Sequence, residues 1–281
     1  MIKQYLHLVR YHNILIAQFG ILCSFYILKI DFYDIRLLLL FIIIGFFMEA
    51  GNIFNDIIDI KTDVIDHPNR PLPKKVITIS NAYYLLFVSI LIGCIASLFI
   101  NNISLVFLYF LIIPLLFLYP LYLKKIPLLG NIVVAFLISS VFIFSECVVL
   151  KSYTILIIPS LLIFGLSLIR EIIKDIHDYE GDKQYGVSTL CVLLGRANTI
   201  LITSILIIIF MVFLLWPYFS GYYDSNYLLS LIILIEIPLV IVVFLLNKNP
   251  NKKTFMQLAV ITKYMSFLGL IVLLFSIEKG L

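Results

Sequence analysis

The chain has 281 residues, 63% of them hydrophobic and only 13% charged, and a mean hydropathy of +1.13. A soluble domain carries about half apolar and about a quarter charged residues, and a folded surface always leaves much of itself in water. The composition therefore does not fit a soluble enzyme, a disordered chain or a nucleic-acid binder, and the net charge of +4 fits a membrane protein with basic cytoplasmic loops.

About 20 apolar residues cross the hydrocarbon core as a helix. Nine such stretches follow one another, at 12–30, 36–58, 80–100, 104–123, 128–150, 153–173, 197–218, 227–246 and 255–277. The first follows Lys3 and Arg10 with no small-residue cleavage site, so it is expected to be a retained span rather than a signal peptide. The connections are short and contain no linker or low-complexity tract. The expectation is an all-α, polytopic membrane protein: one domain over residues 1–281, a bundle of about nine transmembrane helices with a cytoplasm-facing cavity. Cys23, Cys94, Cys147 and Cys191 are scattered and read as apolar filler.

Basic residues set the orientation. With the N-terminus in the cytoplasm, the inner segments hold Lys3, Arg10, Lys61, Arg70, Lys74, Lys75, Lys124, Lys125, Arg170, Lys174, Lys183, Arg196, Lys248, Lys252 and Lys253. The outer side holds only Lys29, Arg36, Lys151 and Lys279. Nine spans place the C-terminus outside.

Two inner segments carry most of the acid, residues 51–73 and 170–182. Asn52, Asp56, Asp59 and Asp63 are separated by 4, 3 and 4 residues, and Glu171, Asp175, Asp178 and Asp182 repeat that spacing. Such positions share one narrow face of a helix. Like charges so placed repel, and something positive must offset them. Water and nearby lysines can do so. Rows of carboxylate oxygens are also how proteins hold Mg²⁺ with a substrate phosphate. The 119-residue offset from Asn52 to Glu171 (171 − 52) suggests a duplicated half-bundle, and ionisable groups at a bundle's edge are functional candidates.

Asn55-Asp56-x-x-Asp59-x-x-x-Asp63 and Asp178-x-x-x-Asp182 resemble the two aspartate-rich motifs of the UbiA superfamily of intramembrane prenyltransferases. The resemblance spans the chain, through Arg10-Tyr-His-Asn13, Asn69-Arg-Pro-Leu-Pro73, Tyr119-x-x-Tyr122-x-Lys124 and Gly130-Asn131. Gly51-Asn52, Asp66-His67-Pro68 and Arg170-Glu171-x-x-Lys174-Asp175 resemble the digeranylgeranylglyceryl phosphate synthase branch. That branch transfers a geranylgeranyl group to the free hydroxyl of geranylgeranylglyceryl phosphate.

The resemblance implies a prenyl diphosphate, a lipid or aromatic acceptor and the bilayer as partners, with no nucleic acid. It implies Mg²⁺ as cofactor, held by Asp56, Asp59 and Asp63 in one cluster and by Asp178 and Asp182 in the other. The ion bridges to the diphosphate and neutralises charge as the C–O bond breaks. Asn55 and Asn52 add neutral ligation. Arg70, Lys124 and Lys174 are candidate phosphate contacts, and Tyr122 is the aromatic candidate near the allylic cation. Asp175 and Asp66 are candidate proton acceptors, with His67 and His177 beside them. An aromatic acceptor such as a naphthoate or benzoate is the alternative within the family, and a transporter the alternative outside it. Glu236 and Lys263 lie at similar depth in adjacent spans and are expected to pair. Glu49 and Glu146 receive no role.

Overall fold

A computed structural model describes residues 2–66, 68–184 and 186–275. His67 and the last two residues of the ninth expected span lie outside them, as does Lys279, and the Asp66 side chain is not described. Every regular element among the described residues is helical. In a bilayer this is forced, because a backbone without water must satisfy its polar groups within the segment.

Seven helices are long and apolar enough to cross a membrane: Ile35–Ile58, Ile79–Ser97, Asn102–Leu121, Leu129–Leu150, Arg196–Phe219, Ser225–Lys248 and Lys252–Phe275. The chain is an integral, multi-pass membrane protein. The other two expected stretches are helical as well. The first is the shorter helix Tyr11–Ile27, and 153–173 lies mostly in the 28-residue helix Ile157–Gln184, whose end is charged.

The described residues form two compact units, 1–124 with 141–156 and 125–140 with 157–281. The first contains α1 (Ile2–Leu8), α2 (Tyr11–Ile27), α3 (Ile35–Ile58), α4 (Ile60–Asp66), α5 (Ile79–Ser97), α6 (Asn102–Phe107) and α7 (Ile113–Leu121). It also takes the second half of α8 (Leu129–Leu150). Helix α3 is its centre, packed on α2, α5 and α7. Gly51 lets α7 approach, since a Cβ there would stand 2.5 Å from Leu116 Cδ1. Ile21, Phe25, Leu40, Ile43, Phe47 and Phe144 build one core cluster. Leu8, Val9, Ala50, Ile53, Leu72 and Ala82 build another beside the acidic end of α3. Side-chain caps start the helices: Asp34 accepts from Arg36 N, Thr78 from Asn81 N and Asn101 from Ser104 N.

Two acids without an expected role are structural. Glu49 accepts from Tyr5 Oη at 2.5 Å and Ser89 Oγ at 3.0 Å, tying α1 and α5 to α3. Glu146 is 0% exposed and gathers Ser152 Oγ with the backbone N–H groups of Thr154, Ile155 and Leu156. A buried carboxylate is tolerable when donors surround it this way.

The second unit holds the first half of α8, then α9 (Ile157–Gln184), α10 (Leu190–Leu194), α11 (Arg196–Phe219), α12 (Ser225–Leu231), α13 (Ile237–Lys248) and α14 (Lys252–Phe275). Helix α9 packs along α14 and α11. At Gly165 a Cβ would meet the Phe210 ring at 2.1 Å.

Both long interrupted helices contain a π turn, Leu108–Ile112 between α6 and α7 and Ile232–Glu236 between α12 and α13. The second holds Glu236, where an expectation is corrected. Glu236 does not pair with Lys263: its Oε1 is buried without a partner, and Lys263 makes no ion pair among the described residues. Depth counted at α-helical rise put the two level, but equal depth does not fix which way each side chain faces around its own helix axis.

Candidate active site

The first acidic run closes α3 and continues through α4. The backbone leaves helical geometry only at Asp59, and the bonds from Asp59 N to Asn55 O and from Asp63 N to Asp59 O, both 2.9 Å, carry the register across. The expected shared face is thereby nearly preserved. The loop after α4 is turned by Pro71 and Pro73 and anchored by buried Leu72, with Lys74 N bonding Arg70 O. That turn brings Arg70 back over the acids.

Asp56, Asp59 and Asp63 each meet a cation. Asp56, 3% exposed, receives Arg10 Nη2 at 2.6 Å and lies 3.6 Å from Arg70 Nη1. Asp63, 4% exposed, receives Arg70 Nη1 at 2.6 Å. Asp59 pairs with Lys124, delivered by the short 3₁₀ turn Leu123–Lys125, and accepts from Asn55 Nδ2 at 3.0 Å. Burial pushes the Asp63 carboxyl above the usual range; Arg70 opposes this, and Asp56 and Asp59 add to it.

Of the expected phosphate contacts, Arg70 and Lys124 are here, held by carboxylates. Asn52 is not part of the acidic cluster: its amide donates to Val9 O at 2.9 Å, fastening α3 to the N-terminal segment. Tyr122 is 63% exposed at the end of α7.

Arg10 was not among the expected site residues. It stands between α1 and α2 at φ 55, a left-handed conformation that costs a non-glycine residue roughly 1 kcal/mol. The sequence signals are its place in the Arg10-Tyr-His-Asn13 segment of the family resemblance, which carries no assigned role, and a basic residue just ahead of the first span, which topology explains.

The second run lies on one unbroken helix, α9, so Glu171, Asp175, Asp178 and Asp182 keep their common face. Glu171 pairs with Arg170 and lies 3.8 Å from Lys174 Nζ. Asp178 Oδ1 is 2.6 Å from His177 Nδ1. Asp175, just past the expected span, accepts from Asn131 Nδ2 at 2.8 Å. Its carboxyl keeps some surface, but crowding by protein pushes it up to about 7; Asn131 and Lys174 oppose that shift, and Glu171 and Asp182 reinforce it.

The donor set suits a hard divalent cation, being all oxygen. Asn55 Oδ1 is buried and accepts nothing, an acceptor left over beside Asp59. Among the described residues no three His, Cys, Asp or Glu side chains are gathered closely enough to hold a metal ion. The carboxylates of the first run lie against Arg10, Arg70 and Lys124 instead.

The UbiA prenyltransferase family pattern matches residues 18–268. The digeranylgeranylglyceryl phosphate synthase of Sulfurisphaera tokodaii is 34% identical over 87% of this chain and 88% of its own. A solved structure of a digeranylgeranylglyceryl phosphate synthase in membranes superposes with a TM-score of 0.75 at 29% identity, covering 97% of both chains. A UbiA homolog from Archaeoglobus fulgidus, bound to GPP and Mg²⁺, shares the fold with a TM-score of 0.67 at 19% identity, covering 96% of this chain and 99% of its own. With its apolar helices and paired acidic runs, the chain belongs to the UbiA prenyltransferase family.

Proposed function

We propose that the protein transfers a geranylgeranyl group from its diphosphate to the free hydroxyl of geranylgeranylglyceryl phosphate, giving digeranylgeranylglyceryl phosphate. The observation that carries the reading is the meeting of Asp56, Asp59 and Asp63 with Arg10, Arg70 and Lys124 at the end of a spanning helix. Carboxylates for a cation and cations for a diphosphate are there side by side. The acceptor is supported by the relatives, named for this product.

Asp56, Asp59 and Asp63 with Asn55 would hold one Mg²⁺, and Asp178 with Asp182 a second. When bound, the ion draws charge from the departing diphosphate. Arg10 and Arg70 offer planar donors to the diphosphate oxygens and Lys124 a point charge. The allylic C–O bond breaks, the acceptor oxygen bonds to that carbon, and the hydroxyl proton passes to a base. Asp175 is the described candidate for that base. The apolar helices keep water from the cation. The chain works as one domain of nine spans, with the N-terminus and active site facing the cytoplasm, where the basic residues fall.

The test is turnover in nanodiscs with labelled geranylgeranyl diphosphate and Mg²⁺, offering geranylgeranylglyceryl phosphate or dihydroxynaphthoate. Product with the glyceryl phosphate, lost in Asp56→Ala and Asp178→Ala and on chelation, is expected. Product only with the ring would move the enzyme to quinone synthesis.

A further inference from the structure

A second group of cations lies within the second unit. Helices α9 and α14 are antiparallel: Gly269 rests against Leu166 and Ile163, while Lys263, earlier on α14, lies within the electrostatic reach of Arg170, later on α9. Two half-buried positive charges are thus held near each other between two packed helices. Arg170 gives Nη1 to Glu171, but its Nε is buried with no partner. Lys174, one turn further along α9, is exposed and 3.8 Å from the same Glu171. The other acid of this stretch, Asp175, is turned to Asn131. One carboxylate therefore serves Arg170 and Lys174, and Lys263 has no described carboxylate. An unpaired lysine in a spanning helix, beside an arginine with an idle donor, is costly unless an anion joins them.

We infer that Arg170, Lys174 and Lys263 seat the phosphate monoester of the lipid acceptor. This rests on the acceptor reading above and deepens it. Arg170 precedes Asp178 by eight residues, about 12 Å along the helix. The seat is therefore separate from Asp178 and Asp182 on the same helix. A monoester dianion needs two or three cationic donors and no metal, and its glycerol and chain extend from a headgroup into the apolar helices. The seat would make the enzyme selective for a phosphorylated glycerol over the bare alcohol, since an acceptor without the phosphate leaves the cations unpaired.

The probe is hexadecyl phosphate, with hexadecanol and inorganic phosphate as parallel arms, read by thermal shift of the full chain in detergent. Hexadecyl phosphate should raise the melting temperature saturably, while the other two should not. In Lys263→Met and Arg170→Gln the apparent affinity should fall about tenfold or more. It should persist in Lys263→Arg, and in Lys183→Met as a surface control. Unliganded melting and elution profiles verify folding, and the conservative variant keeps the test open should one neutral variant fail to fold.

With geranylgeranylglyceryl phosphate, KM for the acceptor should rise in Lys263→Met while KM for geranylgeranyl diphosphate stays within about twofold. Unchanged binding in the variants, an equal shift with inorganic phosphate, or a rise in the donor KM alone would overturn the seat. Hexadecyl phosphate binding that needs Lys263, with no turnover of the glyceryl phosphate, would uphold the seat and sink the acceptor reading instead.

Discussion

Arg10 and Asp56, 46 residues apart, meet at 2.6 Å. The contact joins the turn before the first long helix to the end of α3, and Asn52 repeats the link through Val9 O. Removing the guanidinium leaves a buried carboxylate with Arg70 alone, at 3.6 Å. Arg10→Gln should therefore cost about 1–2 kcal/mol, since Arg10 is a third exposed and solvent weakens the pair. Thermal unfolding in detergent with chelator measures it. The double variant Arg10→Gln, Asp56→Asn should lose less than the two singles summed, and strict additivity would deny the coupling.

Glu146 offers a second stability test. Glu146→Ala strands a hydroxyl and three backbone donors in a buried place, so the loss should be about 3 kcal/mol or more. Glu146→Gln keeps one acceptor and should fall between wild type and Ala. A Glu146→Ala protein melting within a degree or two of wild type would contradict the assignment.

Asp175 makes the metal-free protein pH-sensitive. Its folded carboxyl titrates near 7, above the unfolded value of about 3.9, so folding favours the protonated form. The stabilisation is complete below about pH 4 and is lost as pH rises through 7. Melting temperatures across that window, in chelator, should fall with rising pH in wild type and fall less in Asp175→Asn. Parallel curves would show that Asp175 is not the group responsible.

Close packing supplies the fourth prediction. Gly165→Ala must push the Phe210 ring aside and should cost about 1–3 kcal/mol. Gly20→Ala meets only ordinary contacts, nearest 3.8 Å, and should be near neutral. Equal melting temperatures for the two variants would count against the packing of α9 on α11.

The apolar runs and the 4-3-4 spacing made the helices and both acidic faces readable, because periodicity is a local property. Arg70 and Lys124 were readable as basic residues near a phosphate site, although their present partners were not. Arg10 was hidden because its contact spans 46 residues and its charge had a topological explanation. Glu49 and Glu146 were opaque for a related reason. Their partners are hydroxyls and backbone groups, which carry no pattern in sequence. The Glu236–Lys263 pairing failed because hydropathy gives depth in the bilayer but not which way a side chain faces around its helix.

The two π turns determine where the chain can change length. A turn holding one surplus residue can lose it and become an ordinary α turn, leaving the helix on either side facing as before. Single-residue deletions at 108–112 or 232–236 can therefore be absorbed locally. The same deletion early in α3 would swing Asp56, Asp59 and Asp63 about 100° around the axis, away from the loop that brings Arg70 to them.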